Sequence, residues 1–276
     1  MISYAKDYAE RSVTHMSGLR DWLLGLPARG QYTFTTDEAA NSRVSDGAKA
    51  LSLALYRAGA ASLIRTPVRG FHVVLPLEDR ARRQPSWRLF LDPMMAYLRL
   101  PYYVGLLTAA AHHGASGQAA QVVQVVVPRQ RRPTIVGQLR VEYVVSRAAA
   151  DAPVELVNTP SGRFRVATRE LTALDLVRYP ARSGGWGNVA TVIRDLAPRL
   201  NGPGMKAALA TDPRVADAQR LGHLLERAGA DVPASVIDRW LAARRVSWMP
   251  LVPGHNREGE RDERWLVIVN APVEAD

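Results

Sequence analysis

A single break inside an alanine- and leucine-rich run constrains this chain more than any other feature. Between Thr35 and Ala60 the sequence has helical spacing, yet "RVSDG" interrupts it at Arg43–Gly47. One long helix needs no such break; two short helices joined by a tight turn do. Thr35 and Glu38 have capping-box spacing, so a first helix is predicted from Thr36 to about Ser42. Ser45 is the expected N-cap and Asp46 the first-turn acid of a second helix running to about Ala58, with Gly59 as its C′ residue. Ala48, Leu51, Leu55 and Ala58 fall on one apolar stripe, and Lys49, Ser52 and Tyr56 on an adjacent polar one. Ala39, Ala40 and Val44 are small enough to let the two helices cross closely.

The flanks extend the pattern. A helix is expected over Ser17–Leu26, ended by Pro27–Gly30, with a short strand at Tyr32–Thr35. After the second helix, Ser62–Arg65 and Phe71–Leu75 read as strands around a turn at Thr66–Gly70. Helix, strand, capped helix, turn, capped helix and hairpin is the order of a winged helix-turn-helix, whose second helix enters the major groove. The DNA-binding candidates are Arg43, Ser45, Asp46, Lys49, Ser52 and Tyr56 around that helix, with Arg65 and Arg69 on the wing.

Charge agrees with this reading. The net charge is +10, and residues 1–90 carry thirteen basic against eight acidic side chains, whereas residues 151–276 carry seventeen against sixteen. A basic N-terminal half implies an acidic partner. Arginine outnumbers lysine 33 to 3, so part of the excess reflects a general arginine richness. Cysteine is absent, which removes disulfides, thiolate metal sites and thiol nucleophiles and fits a cytoplasmic protein. The N-terminus is polar, unlike a secretory signal, and no apolar run is long enough to span a bilayer.

The stretch "EDRARRQPSW" (Glu78–Trp87) lacks periodicity and reads as a linker in which Arg80, Arg82 and Arg83 can touch phosphate. The division expected is residues 1–85 as the DNA-binding domain and 86–276 as a larger α+β domain. In the latter, Asp92-Pro93 reads as a helix start, Tyr102–Gly114 as a helix, and Gln121–Val127 as a buried strand. Thr134–Ser146 alternates, with Leu139, Val141, Tyr143 and Val145 on one face. A hairpin turns at Ser161-Gly162, Thr168 caps a helix, and "GGWGNVATVIRDL" leads into another. Residues 204–243 read as wholly helical, and late strands at Ser247–Leu251 and Trp265–Val269 flank a polar loop.

Catalytic signatures do not emerge. No lysine follows a glycine, so there is no P-loop, and neither HExxH nor GxSxG occurs. His112 and His113 are adjacent on an expected helix, about 100° apart, with no carboxylate three or four residues away. They read as helix-end histidines. His255 with Glu258, Glu260, Asp262 and Glu263 reads as a solvated loop. Glu142, Glu155, Glu170 and Asp175 stay open as a spatial cluster. No catalytic residue, metal or cofactor is expected.

Three segments, "FTTDEAA…ALSLALYRAGA…RTPVRGFHVV", "YYVGLLTAAAHHGA…QVVQVVV" and "TRELTALDLVRYP…GGWGNVATVIRDL", together resemble the AbiEi antitoxins of type IV toxin–antitoxin and abortive-infection systems. The resemblance covers roughly residues 20–200. It implies a winged helix that binds inverted repeats in double-stranded DNA upstream of its own operon, and a C-terminal domain that counters an AbiEii-like nucleotidyltransferase toxin, with no stable complex required. By position it marks Tyr102, Tyr103, His113 and Gly114 as antitoxin-domain candidates. A DNA-targeted enzyme, nuclease-like or toxin-modifying, and a ligand-responsive transcription factor without a toxin partner are the rival readings.

Overall fold

In the computed structural model, residues 18–115, 121–211 and 213–273 are described. The first unit begins with helix α1 over residues 18–25, then a 3₁₀ turn at Pro27–Arg29. Strand β1 (Thr33–Thr35) leads into α2 (Thr36–Asn41), and α3 spans Ala48–Ala60. A hairpin of β2 (Ile64–Val68) and β3 (Phe71–Val74) follows. The three strands form an antiparallel sheet in the order β1-β3-β2. Leu19, Leu23, Leu26, Phe34, Ala39, Leu51, Leu55, Ala58, Ile64 and Val74 make its core.

The capping box at Thr35 and Glu38 forms as predicted, with both reciprocal bonds present. The second helix differs from expectation. It starts at Ala48 rather than Asp46, and its N-cap is Gly47 at φ +93°, not Ser45. The first intrahelical bond runs from the Leu51 amide to the Gly47 carbonyl, so a residue tolerant of positive φ turns the chain into the helix. Gly59 lies inside the helix, which ends at Ala60. Ala54 joins Leu51, Leu55 and Ala58 on the buried stripe in place of Ala48, which is exposed. Strand β2 extends into the expected turn, as far as Val68, and its Pro67 is accommodated by a register shift between Arg65 and Val68.

Strand β3 is buried on both faces. Ile64 and Val74 face the helices, while Phe71 and Val73 join a second, larger core with Phe90, Leu91, Met94 and Met95. The last four lie on α5 (Trp87–Tyr97), which follows a single helical turn α4 (Leu77–Arg80). Pro93 sits within α5 and does not start it. Five buried apolar side chains on α5 offset the one hydrogen bond that proline removes. Tyr97 packs on Phe71 with ring centroids 5.5 Å apart, and its hydroxyl donates to the Arg69 carbonyl at 3.1 Å. Gly70 forms the wing turn at φ +81°, and a Cβ there would lie 2.6 Å from the Tyr97 hydroxyl.

The second core is built on a six-stranded mixed sheet in the order β6-β7-β5-β4-β9-β8. Its strands are β4 (Tyr103–Val104), β5 (Val122–Val127), β6 (Thr134–Val136), β7 (Leu139–Val145), β8 (Val154–Thr159) and β9 (Gly162–Ala167). The expected helix over Tyr102–Gly114 is a strand followed by α6 (Leu106–His112), because β4 pairs with both β5 and β9. Thr134–Ser146 is a hairpin turning at Gly137-Gln138. Helices α7 (Arg169–Arg178), capped by Thr168, and α8 (Gly185–Leu196) precede α9 (Gly202–Leu209), α10 (Val215–Arg227) and α11 (Asp231–Ala242). Residues 204–243 are therefore interrupted twice. The polar loop adds a strand, β11 (Glu260–Asp262), to β10 (Met249–Pro250) and β12 (Val267–Val269).

Because Phe71 is shared between the hairpin and the larger core, Phe71→Ala is expected to cost about 3–5 kcal/mol and to lower the midpoint of one cooperative transition. Two well-separated calorimetric transitions in the wild-type chain would contradict that coupling.

Candidate nucleic-acid interface

Side chains on α3 sort cleanly by face. Leu51, Ala54, Leu55 and Ala58 point into the first core, while Lys49, Ser52 and Tyr56 are exposed, Tyr56 by 75%. Between α3 and the wing lies an open groove of about 880 Å³. Ser45, Ser52 and Tyr56 line it from the helical side, and Arg65 and Arg69 from the wing. Five of the eight DNA-binding candidates thus share one groove. Arg43 and Asp46 are exposed in the turn before α3, with Arg43 at φ +51°. Ser45 Oγ is buried and has no hydrogen-bond partner.

His72 forms the floor of the groove. One ring nitrogen lies 2.9 Å from Thr36 Oγ1 and the other 2.9 Å from Thr66 Oγ1, so the imidazole ties α2 to the wing. It stacks on Phe34 with centroids 4.9 Å apart. Burial holds its pKa below the ordinary value.

Arg65 is not at the wing tip. Its Nε donates to the Arg83 carbonyl at 3.1 Å, and Nη1 donates to the Gly59 and Ile64 carbonyls. Burial, then the charge of Arg83, pushes its pKa down. Arg65 fastens α3, the wing and the linker to one another. Arg69, in the two-residue turn with Gly70, is the exposed tip cation.

The four antitoxin-domain candidates are mostly internal. Tyr103 is buried and donates to Asp175 Oδ2 at 2.8 Å; Tyr102 donates to Asp92 at 2.9 Å. Burial, then the neighbouring carboxylate, raises both phenols above their ordinary range. His113 is 4% exposed, with Nε2 2.8 Å from the Ala167 carbonyl. Its own carbonyl accepts from Arg199 at 2.7 Å, beside the exposed Gly114 at φ +76°. Asp175 is fully buried, and desolvation pushes it up to about 7 against the lowering effect of the Tyr103 hydroxyl.

The reading of His112 and His113 as helix-end residues alone is incomplete. Among the described residues, His112, His113 and Glu155 bring a ligand atom each to within 4.8 Å of one another. Glu155 comes from β8, a contact that local spacing cannot reveal. The donor set is one a divalent transition metal can use, but Arg169 lies 3.7 Å from Glu155, and Arg88 also faces His112. In the polar loop His255, Glu258, Glu260 and Glu263 are exposed, as a solvated loop requires, while Asp262 pairs with His223 at 2.6 Å. Glu142, Glu155, Glu170 and Asp175 do not converge. They take Arg140 and Arg182, Arg169, Asn201, and Tyr103 respectively.

Residues 103–227 match the family model described as the AbiEi antitoxin C-terminal domain. Over that stretch, less than half of the chain, the sequence is similar to the AbiEi antitoxins. The fold resembles a crystal structure of the Rv2827c protein from Mycobacterium tuberculosis, with a TM-score of 0.66 at 16% identity over 91% of each chain. No curated protein matches the sequence. Among the described residues, no helix is long and apolar enough to cross a membrane.

A raised carboxyl pKa means stability is fullest below the unfolded-state value near 4 and is lost as pH rises through about 7. Asp175→Asn keeps an acceptor for Tyr103 and removes the ionisation. Its stability relative to wild type should rise by on the order of 2 kcal/mol between pH 5 and pH 8 in denaturant titrations. A pH-independent difference would show that Asp175 is not the titrating group.

Proposed function

We propose that this chain is a non-enzymatic regulator that binds double-stranded DNA through an N-terminal winged helix-turn-helix, represses its own operon at inverted repeats, and counters a nucleotidyltransferase toxin through its larger domain. The observation that carries the DNA reading is the groove between α3 and the wing, with Lys49, Ser52 and Tyr56 exposed on α3 and Arg69 at the wing turn. Helix, strand, two helices and a hairpin, with a three-stranded sheet closing the unit, support a recognition role for α3. Antitoxicity rests on the AbiEi match, which begins at β4 and leaves the first unit outside it. The solvent-facing histidine neighbourhood at Gly114 is the part of the marked motif that a partner can reach, whereas Tyr102, Tyr103 and His113 act as internal struts.

Lys49→Ala combined with Arg69→Ala is expected to abolish operator binding in a mobility-shift assay and to leave toxin neutralisation in cells intact. Arg65→Ala should behave differently, losing stability by about 1–3 kcal/mol, since three carbonyls depend on its guanidinium. Loss of neutralisation in the folded double variant would contradict the division of labour.

A further inference from the structure

The end of α6 and the edge strand β8 bring three ligand-type side chains to one spot. His112 closes α6, His113 follows it as the C-cap, and Glu155 lies on β8. One ligand atom of each lies within 4.8 Å of the other two, and among the described residues no other group of three histidines or acids comes as close. The chain has no cysteine, so imidazole and carboxylate are the ligands it can offer a transition metal.

The surroundings suit that use. Adjacent helical residues diverge by about 100°, yet the two rings stay neighbours, with centroids 5.2 Å apart and planes at 67°. His113 Nε2 lies 2.8 Å from the Ala167 carbonyl. A carbonyl only accepts, so Nε2 donates and, in the neutral ring, Nδ1 keeps the lone pair that a metal needs. A backbone carbonyl on the far nitrogen is the outer-shell partner that fixes the tautomer of a metal-ligating histidine. Ala167 ends β9, and Glu155 pairs with Val166 of that strand, so ligand and support share one ladder. The buried Phe164 ring packs edge-on against His112 with centroids 6.1 Å apart and walls the spot on one side.

Two arginines compete with a cation here. Arg169 reaches Glu155 at 3.7 Å, a long contact between two part-exposed side chains and therefore a weak one. Arg169 Nε is buried without an acceptor. Arg88 lies over the Trp87 ring, 4.7 Å from its centroid.

We infer that His112, His113 and Glu155 form a three-ligand site for a divalent transition metal of the zinc class, with a fourth position left to water or an anion beside the two arginines. Ligand atoms around a tetrahedral zinc stand about 3.3 Å apart, so small rotations of the half-buried His112 and Glu155 side chains complete the site. Two nitrogen donors disfavour magnesium and calcium, which take oxygen ligands. The metal clamps the end of α6 to the edge of the sheet, and the inference stands apart from the DNA-binding reading.

The experiment is isothermal titration of the untagged full chain with zinc chloride, paired with thermal melts. Wild type should take up one equivalent and melt at a higher temperature with zinc than without. His112→Gln and Glu155→Gln, both at half-buried positions, should each weaken binding by at least about tenfold and lose the thermal shift. Arg169→Gln removes a competing cation and should tighten binding, which a merely structural role for Glu155 would not produce. His255→Gln, in the exposed loop, should match wild type. Absence of saturable zinc binding by the wild-type chain overturns the inference. Equal affinity in wild type and both ligand variants places the zinc elsewhere and overturns it as well.

Discussion

Strand β3 is where the molecule is held together. All four of its residues are buried. Alternation along a strand sends successive side chains to opposite faces, and here both faces meet a core. Ile64 and Val74 close the first unit, while Phe71 and Val73 enter the second beside α5. A strand covered on both sides cannot slip by one residue without burying His72 in the wrong place, so the register is fixed. From that register follow the stack of His72 on Phe34 and the pinning of the Arg69–Gly70 turn by Tyr97.

The same constraint orients the chemistry. The wing does not wave as a free arm, because Tyr97 holds its turn and Arg65 holds its base. Arg65 joins helix, wing and linker by donating to the Gly59 and Arg83 carbonyls. In the larger domain, Gln124 plays a comparable part. It interrupts the valine run of β5, yet its side chain accepts from the Leu107 amide and donates to the Arg182 carbonyl, so each polar atom in the sheet core is used.

Much of the first unit was legible from local signals. The capping box, the buried stripe through Leu51, Leu55 and Ala58, the exposed stripe of Lys49, Ser52 and Tyr56, and the hairpin all follow from spacing. What local signals could not supply was tertiary. Ser45 has a good N-cap chemistry, but Gly47 takes the position because the chain needs positive φ to enter the helix. Asp92-Pro93 looks like a helix start, and the burial of Leu89, Phe90 and Leu91 overrides it. Arg65 looks like a wing cation until the linker carbonyl that captures it is seen. The His112, His113 and Glu155 group joins a helix end to a strand through a non-local contact, which no single-sequence pattern encodes. The marked tyrosines proved to be buried struts, since aromatic side chains with one polar atom fit a core that supplies a carboxylate partner.

The most direct measurement is fluorescence-anisotropy binding of the intact chain to the DNA immediately upstream of its own gene, set against a scrambled duplex over a salt series. The proposed role of α3 as a recognition helix predicts at least about a 10³-fold preference for the upstream sequence and a steep loss of affinity with salt. Equal and weak binding to both duplexes would contradict it, and the groove between α3 and the wing would then be a protein-docking surface.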